Sequence, residues 1–243
     1  MRRDGRSNTQ IRPLRFTPNY LKNPLGSVLV ECGETIVLCS ANVEDSVPGW
    51  MRNQRNTRGW LTAEYSMLPS STHSRSKRER QHISGRSQEI QRLIGRSLRA
   101  VVDLTKIPDC TIVVDCDVLQ ADGGTRTASI SGSYVALHLA INTLLRSGRL
   151  KYNPIINQVS AISVGVFRNE IMIDLNYEED SNAALDMNIV MTQDGKLLEI
   201  QGTAERAEFD KKMVVDILDV ASEGLKNSFH LQQIACDGQI AEG

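Results

Sequence analysis

Signals that define several protein classes are missing from this sequence of 243 residues. The five cysteines form no CxxC pair, and their odd number argues against a framework of disulfide bonds. The opening segment MRRDGRSNTQ has no apolar stretch of the secretory type, and no continuous apolar run reaches membrane-spanning length. We therefore expect a cytoplasmic protein with reduced cysteines and no association with a membrane.

The charges are distributed unevenly, although the net charge is only −1. Residues 52–99 contain eleven Lys or Arg but three Asp or Glu. Residues 169–243 contain five Lys or Arg but sixteen Asp or Glu. This asymmetry predicts a polyanionic partner at the basic section and a cation or metal at the acidic section. A solvated surface loop would also explain the basic section, because charge runs often lie on the surface.

A strand, a glycine turn and a helix are predicted in succession in the middle of the chain. Apolar residues alternate up to Val118, Asp122-Gly123-Gly124 interrupts the pattern, and helical spacing runs from Ile130 to about Arg146. Thr125 or Thr127 is the predicted N-cap. Free backbone N–H groups, the helix dipole and the guanidinium of Arg126 would suit a phosphate there. An ordinary strand-to-helix turn is the alternative, because the turn matches neither a Walker loop nor GxGxxG.

Acidic residues cluster in IDLNYEEDSNAALDMN. Asp174 and Asn176 are predicted to share a strand face, and Asp180 and Asp186 to flank a short polar turn. Two carboxylates brought together at strand ends repel each other and are stabilised by a divalent cation such as Mg²⁺. An acidic surface loop is the alternative.

Both halves of the chain are predicted to run from strands to a helix. The periodic patterns predict helices over residues 88–104, from 130 to about 146 and over 210–228. They predict strands at 26–31, 35–40, 60–67, 159–167, 171–177, 187–192 and 197–201. Turns that join consecutive strands are predicted around Gly33, at 168–170 and at Asp194-Gly195. Loops at 41–58 and 69–87 and a loose tail after residue 232 complete the prediction. Residues 1–24 are predicted to form an extended arm that packs on the domain or on a neighbour. We infer an α/β (α+β) protein in which one domain, 1–243, contains duplicated β-rich halves of about 1–150 and 151–243.

Several motifs together resemble the bacterial ribonuclease PH family. They are GRSNTQIRP, WLTAEYSMLP, GRSQEIQRLIGRSLRA, DCDVLQADGGTRTASISG, DLNYEEDSNAALDMNIVMT and EIQGTAE. The resemblance runs in order from the N-terminus to about residue 205. It implies a fold like the second domain of ribosomal protein S5, assembled as a homo-hexamer that is a trimer of dimers. It also implies a phosphate-dependent tRNA nucleotidyltransferase, which trims the 3′ ends of tRNA precursors, acts in rRNA processing, and releases nucleoside diphosphates reversibly.

The resemblance also implies roles for individual residues. The phosphate-binding group is Arg86, Gly124, Thr125 and Arg126, and the catalytic group is Arg126, Asp180 and Asp186. Asp180 and Asp186 would also bind the metal, Mg²⁺ or Mn²⁺, and inorganic phosphate would be the co-substrate. The residues expected to bind RNA are Arg52, Arg55, Arg58, Arg75, Lys77, Arg78, Arg80, Arg92 and Arg96. The basic loop from Arg52 to Arg80 is expected to hold the tRNA acceptor stem.

Two departures from the family affect RNA contacts, and one of them is an altered spacing around Arg52 to Arg58. The family motif LPRST has an arginine where this chain has Ser70, and the nearby Arg75 and Arg78 are candidates to compensate. His73 is expected to face RNA or solvent, and Trp60 and Tyr65 to pack in a strand rather than stack on a base. Two other functions compete: a catalytically silent ring subunit that only binds RNA, and a hydrolytic metal-dependent nuclease.

Overall fold

The computed structural model describes residues 2–52, 58–79, 82–107, 109–204 and 208–243. Two β-sheets and four α-helices lie within these ranges, which confirms the predicted mixed α/β class. The strands are β1 (Leu14–Pro18), β2 (Gly26–Cys32), β3 (Thr35–Glu44), β4 (Trp60–Met67), β5 (Thr111–Gln120), β6 (Val159–Phe167), β7 (Glu170–Ile173), β8 (Leu185–Thr192), β9 (Leu197–Ala204) and β10 (Ala241–Glu242). The helices are α1 (Gly85–Arg99), α2 (Thr125–Arg146), α3 (Tyr177–Asn182) and α4 (Lys211–Cys236).

The larger sheet has six strands in the order β10-β1-β2-β3-β5-β4. The hairpin predicted around Gly33 joins β2 to β3, and β4 pairs with β5 in parallel. Strand β3 continues to Glu44, beyond its predicted end, because Asn42 and Glu44 pair with Val113 and Thr111 of β5. The predicted loop at 41–58 therefore begins later than the sequence pattern indicated.

The smaller sheet has four antiparallel strands in the order β7-β6-β8-β9. Its two hairpins turn where the sequence predicted them: Arg168 and Asn169 adopt positive φ between β6 and β7, and Gly195 adopts positive φ between β8 and β9. Leu185 opens β8, so Asp186 is the second residue of that strand.

Helix α2 lies in the core, in contact with β2 and β3 of the larger sheet and β6 of the smaller one. By length and composition it could cross a membrane, but 78% of its apolar window is buried within the protein. Burial on every side is typical of a central helix in a folded domain. The two sheets are therefore held at fixed positions on either side of the helix that follows the glycine turn.

Three local predictions were wrong. Helix α1 spans Gly85–Arg99 rather than 88–104, and the segment 177–182, predicted as strand end and turn, forms the short helix α3. The tail is ordered: α4 continues to Cys236, and β10 pairs with β1. Residue Gly243 also exchanges two backbone hydrogen bonds with Leu14, at 2.9 and 3.0 Å. The division into two pseudo-repeat halves stays a prediction.

Candidate active site

The predicted phosphate-binding and metal-binding residues line one pocket, with a volume of about 430 Å³. Helix α1 contributes Arg86, the turn and the start of α2 contribute Gly124, Thr125 and Arg126, and the acidic segment contributes Asp180 and Asp186. The pocket is also lined by Met67, Thr72, His73, Ser74, Ala121, Gly123, Ser163, Tyr177 and Asn188. Folding therefore brings basic and acidic side chains from distant parts of the sequence to a single opening.

Two consecutive left-handed glycines form the turn that precedes α2. Gly123 has φ of 74° and Gly124 has φ of 66°, values that glycine adopts without steric cost. A Cβ atom on Gly123 would lie 2.5 Å from the carbonyl oxygen of Leu175, so the turn packs directly against the acidic segment. Gly124 is the N-cap residue, and α2 begins at Thr125. The prediction that Thr125 or Thr127 caps the helix was wrong, because the N-cap position is occupied by Gly124 in a left-handed conformation, with no side-chain cap.

The N-terminus of α2 has the features of an anion site. The first backbone N–H groups of a helix have no partner within the helix, and the helix dipole places partial positive charge there. The Tyr65 hydroxyl donates a hydrogen bond to Oγ1 of Thr125 at 3.0 Å. Burial raises the pKa of Tyr65, so the hydroxyl remains a neutral donor. Tyr65 is 3% exposed, which agrees with its predicted role in strand packing.

The guanidinium of Arg126 lies between the pocket and two side chains behind it. Its Nη1 donates to Oε1 of Gln201 at 2.9 Å and lies 3.5 Å from Oε1 of Glu89. Only 18% of the Arg126 side chain is exposed, whereas Arg86 is exposed at the second position of α1. The two arginines would approach an anion from different sides.

The acidic segment is held by a short capped helix. Asn176 and Glu179 form a reciprocal capping box at the start of α3, with bonds of 2.9 and 3.1 Å. Glu179 also accepts two hydrogen bonds from Arg2, at 2.7 and 2.5 Å. Asp180 is carried by this helix, and Asp186 lies on β8, where the Asn188 amide donates to it at 3.4 Å. Asp174 and Asn176 do not share a strand face, because β7 ends at Ile173.

A buried ionic cluster joins the glycine turn to the acidic segment. Arg12 donates to both carboxylate oxygens of Asp174, and its Nη1 donates to the carbonyl of Asp122 at 2.5 Å. Arg6 adds a contact with Asp174 at 3.4 Å. Burial would raise the pKa of Asp174, but the charge and hydrogen bonds of Arg12 outweigh it and hold that pKa below 3.8. Asp174 is therefore an ionised anchor within the protein.

The donor atoms in the pocket fit a hard divalent cation. Within the described ranges, no group of three or more His, Cys, Asp or Glu is arranged to hold a metal. The carboxylates that line the pocket are those of Asp180 and Asp186. Mg²⁺ commonly uses one or two carboxylates and completes its coordination with waters and substrate phosphates. The pair fits Mg²⁺ or Mn²⁺ better than a structural zinc ion, which requires four protein ligands.

Those residues predicted to bind RNA that the structure describes do not line the pocket. Arg52, Arg75, Lys77, Arg78 and Arg92 are exposed, and Arg58 is half-buried. Arg96 makes an ion pair with Glu199, with its Nη2 at 2.6 and 2.8 Å from the two carboxylate oxygens. Arg55 and Arg80 lie outside the described residues. Their roles, and those of the other RNA-binding candidates, stay predictions.

Sequence reasoning missed the side chains that hold the site in place. Arg2, Arg6 and Arg12 were assigned to the packed arm without individual roles, and each is less than 8% exposed. Glu89 and Gln201 occurred in quoted motifs without a role. Tyr177 and His73 form a ring pair at 5.9 Å on the pocket wall. The local capping pattern at Asn176 and Glu179 was the signal that could have revealed α3.

Comparison with known proteins shows the family of the chain. Residues 10–141 match the RNase PH family described as "3' exoribonuclease family, domain 1", and residues 157–224 match its domain 2. Three solved structures are similar in fold. The rice (Oryza sativa) protein Rrp46 has a TM-score of 0.76 at 20% identity, covering 97% of this chain and 100% of that chain. The Archaeoglobus fulgidus exosome with RNA bound to the active site has a TM-score of 0.78 at 22% identity, covering 94% of this chain and 92% of that chain.

An archaeal exosome core has a TM-score of 0.74 at 21% identity, covering 97% of this chain and 91% of that chain. At these identities the structural matches support the fold, while the two family matches together cover most of the sequence. The chain belongs to the RNase PH family of 3′ exoribonucleases.

Proposed function

We propose that the protein is a phosphorolytic 3′-to-5′ exoribonuclease that uses inorganic phosphate to release nucleoside diphosphates. The observation that carries the proposal is the shared pocket, in which Arg86, Arg126 and the start of α2 face the carboxylates of Asp180 and Asp186. A site with cationic groups on one wall and metal-binding oxygens on the other suits two phosphates that must react with each other.

The arginine side of the pocket would bind the attacking phosphate. Orthophosphate and the RNA backbone are both anionic, so the site must neutralise charge before they can approach. Arg86, Arg126 and the free N–H groups after Gly124 supply that neutralisation. A phosphate oxygen then forms a bond to the last phosphorus of the RNA, and the bond from that phosphorus to the 3′-oxygen breaks. The products are a nucleoside diphosphate and an RNA one residue shorter.

The carboxylate side of the pocket would bind the RNA end. Asp180 and Asp186 would hold Mg²⁺ or Mn²⁺, which when bound supplies charge stabilisation for the scissile phosphate and the leaving oxygen. Phosphate is already an anion at neutral pH, so no strong base is needed to activate it. We assign Asp180 a further role in relaying to the leaving 3′-oxygen the proton that the attacking orthophosphate loses. Positioning and electrostatics then contribute most of the rate.

We also propose that the substrates are tRNA precursors and other RNA 3′ ends, including those of rRNA, in the cytoplasm. The resemblance to bacterial ribonuclease PH supports this assignment, as does the basic section at 52–99, which would contact the tRNA acceptor stem. The same resemblance supports a homo-hexamer built as a trimer of dimers. Sedimentation of the purified chain tests the assembly, and a mass near that of a monomer would contradict it.

One assay separates phosphorolysis from its alternatives. A short RNA with a 3′ tail is incubated with Mg²⁺, with and without orthophosphate, and the released nucleotides are identified. We expect diphosphates only when phosphate is present. Monophosphates released without phosphate would show a hydrolytic nuclease, and RNA binding without any product would show a silent RNA-binding subunit. A precursor tRNA and an unstructured RNA of equal length then test the substrate preference.

A further inference from the structure

Arg126 is connected to a polar chain of side chains from three elements. Behind its guanidinium lie Glu89 of α1 and Gln201 of β9, and Gln201 in turn contacts Glu199, which is paired with Arg96. These contacts join α1, β9 and the first turn of α2. None of Glu89, Glu199 and Gln201 lines the pocket itself, so their contacts act on the arginine from outside it.

The orientation of the Gln201 amide follows from its neighbours. Its Nε2 donates to Oε1 of Glu89 at 3.1 Å and to Oε1 of Glu199 at 3.1 Å. Two carboxylates on the nitrogen leave the amide oxygen facing the other way, where it accepts from Nη1 of Arg126 at 2.9 Å. Rotating the amide by half a turn would place its oxygen against the carboxylates and its N–H groups against a cation. Both contacts would be repulsive, so one orientation is selected.

The contact with Glu89 is weaker than the contact with Gln201. Nη1 of Arg126 lies 3.5 Å from Glu89, at the limit of a hydrogen bond, whereas the bond to Gln201 is 0.6 Å shorter. Glu89 is also 41% exposed, so solvent screens its charge. The strong partner of the arginine is thus a neutral acceptor. A neutral acceptor orients the guanidinium without cancelling its charge, which remains available to an anion in the pocket.

We infer that Gln201 is a positioning residue for orthophosphate binding: it holds Arg126 by Nη1, and Glu89 and Glu199 fix the direction of its amide. The inference rests on the proposed function and adds a residue to which neither the composition nor the family resemblance gave a role. Among the described residues the side-chain contacts of Arg126 are made through Nη1, which leaves other N–H groups of the guanidinium for the forked contact that arginine makes with phosphate.

The substitution Gln201→Met tests the inference, because methionine has a similar length and lacks the amide. We expect the KM for orthophosphate, measured at saturating RNA, to rise about tenfold, since hydrogen bonds to charged groups are among the stronger ones in proteins. We expect kcat at saturating phosphate to change less than KM, and the dissociation constant for RNA in the absence of phosphate to be unchanged. A loss confined to stability would not produce this split.

Gln88→Met is the matched control. Gln88 precedes Glu89 on α1 and is exposed, and its side-chain amide donates to the carbonyl of Ile83 in the loop before the helix. We expect its phosphate KM to equal that of the unmodified protein. An unchanged phosphate KM in Gln201→Met, or an equal rise in Gln88→Met, would overturn the inference.

The substitution Glu89→Gln distinguishes two roles of Glu89: orienting the Gln201 amide, or competing with phosphate for Arg126. If Glu89 only competed with phosphate for Arg126, removing its charge would lower the phosphate KM. We expect a rise instead, because the Gln201 amide loses one of the two carboxylates that orient it. A lower KM would overturn the inference.

A measurement of phosphate binding that does not require catalysis tests the role of Gln201 independently of the proposed exoribonuclease activity. The rise in Tm with added orthophosphate is measured for the unmodified protein and for Gln201→Met, with chloride at equal ionic strength as a control for salt. Phosphate-specific stabilisation that Gln201→Met reduces would support the inference even if no diphosphates were released. Absence of any phosphate-specific stabilisation in the unmodified protein would overturn the inference whatever the products of the RNA assay.

Discussion

Arg12 and Asp174 form a bidentate ion pair within the protein, with Nε 3.0 Å from Oδ2 and Nη2 2.7 Å from Oδ1. The backbone N–H of Arg12 adds a third bond to the same carboxylate, at 2.7 Å. The side chains of the two residues are 5% and 7% exposed. A pair so well shielded is screened little by salt or water.

This pair connects the two walls of the active-site pocket. Arg12 also donates to the carbonyl oxygen of Asp122, immediately before the two glycines of the phosphate turn. Asp174 immediately follows β7 and lies six residues before Asp180 in the sequence. The separation between the arginine side and the carboxylate side of the pocket therefore depends on the ion pair of Arg12 and Asp174, neither of which lines the pocket.

Replacing Asp174 with asparagine should destabilise the protein by about 3–5 kcal/mol at neutral pH, because it leaves buried arginine charge without its counter-ion. Asp174 has φ of 50°, and asparagine tolerates this left-handed conformation, so the change does not add backbone strain. Urea unfolding at pH 7 measures the effect. Asp216→Asn, at an exposed partner of Lys212 on α4, is the control and should cost about 0–1 kcal/mol.

The pH dependence of this cost has a definite sign. Because the folded-state pKa of Asp174 is below 3.8, its ionised form stabilises the fold above that pH. The stabilisation is lost as the pH falls below 3.8 through the folded-state pKa. The difference between the unmodified protein and Asp174→Asn should therefore narrow in acid. If the difference in free energy of unfolding stayed constant from pH 7 to the lowest pH at which both proteins fold, Asp174 would not be an ionised anchor within the protein.

The strand, turn and helix around Asp122 could be predicted because their signals are local. Alternating apolar residues, adjacent glycines and helical spacing all occur within one stretch, and β5 and α2 are close to their predicted positions. The predicted N-cap, Thr125 or Thr127, lies one or three residues too late, because Gly124, with its positive φ, occupies the position expected for a hydroxyl side chain. The pairing of Asp180 with the phosphate turn came from the family resemblance rather than from any local pattern.

Other features depend on contacts that no local pattern contains. Arg2 and Glu179 are 177 positions apart in the sequence, and Arg12 and Asp174 are 162 apart. Residues of one charge near a terminus normally indicate a solvated segment, and only the folded chain shows that they are buried. The order of the C-terminal tail likewise depends on pairing between β10 and the distant β1.

Replacing Arg126 with alanine should lower kcat by about 10²–10³, which corresponds to about 2.7–4 kcal/mol of lost transition-state stabilisation. The comparison is with the loss of one donor from an oxyanion site. Phosphate-dependent release of diphosphates at saturating RNA is the measurement. Arg146→Ala, at the exposed end of the same helix, is the control and should keep full activity. Full activity in Arg126→Ala would mean that the arginine does not contact the reacting phosphate.

Replacing Asp186 with asparagine should raise the Mg²⁺ concentration needed for half-maximal activity by at least about tenfold. The site has two carboxylates, and removal of one takes away a charged oxygen ligand; loss of an outer-shell partner alone commonly costs 10–100-fold. Activity is measured across a titration of Mg²⁺, and Mn²⁺ binding is measured separately without RNA. Asp216→Asn is again the control. An unchanged metal requirement would remove Asp186 from the proposed metal site.

The basic side chains of the loop before α1 should contribute to RNA binding but not to the binding of orthophosphate. Arg75, Lys77 and Arg78 are exposed and do not line the pocket, so changing all three to glutamine should leave the fold and the phosphate KM unchanged. RNA affinity should fall, and the slope of log Kd against log KCl concentration should decrease by about 2–3, because each phosphate contact contributes about 0.7–0.9. Lys211, Lys212 and Lys226 on α4 are also exposed, and changing those three to glutamine removes the same charge from the acidic section. If both triple variants reduced the slope equally, the protein would respond to total charge alone; a reduction confined to the loop variant places the RNA backbone along residues 75–78.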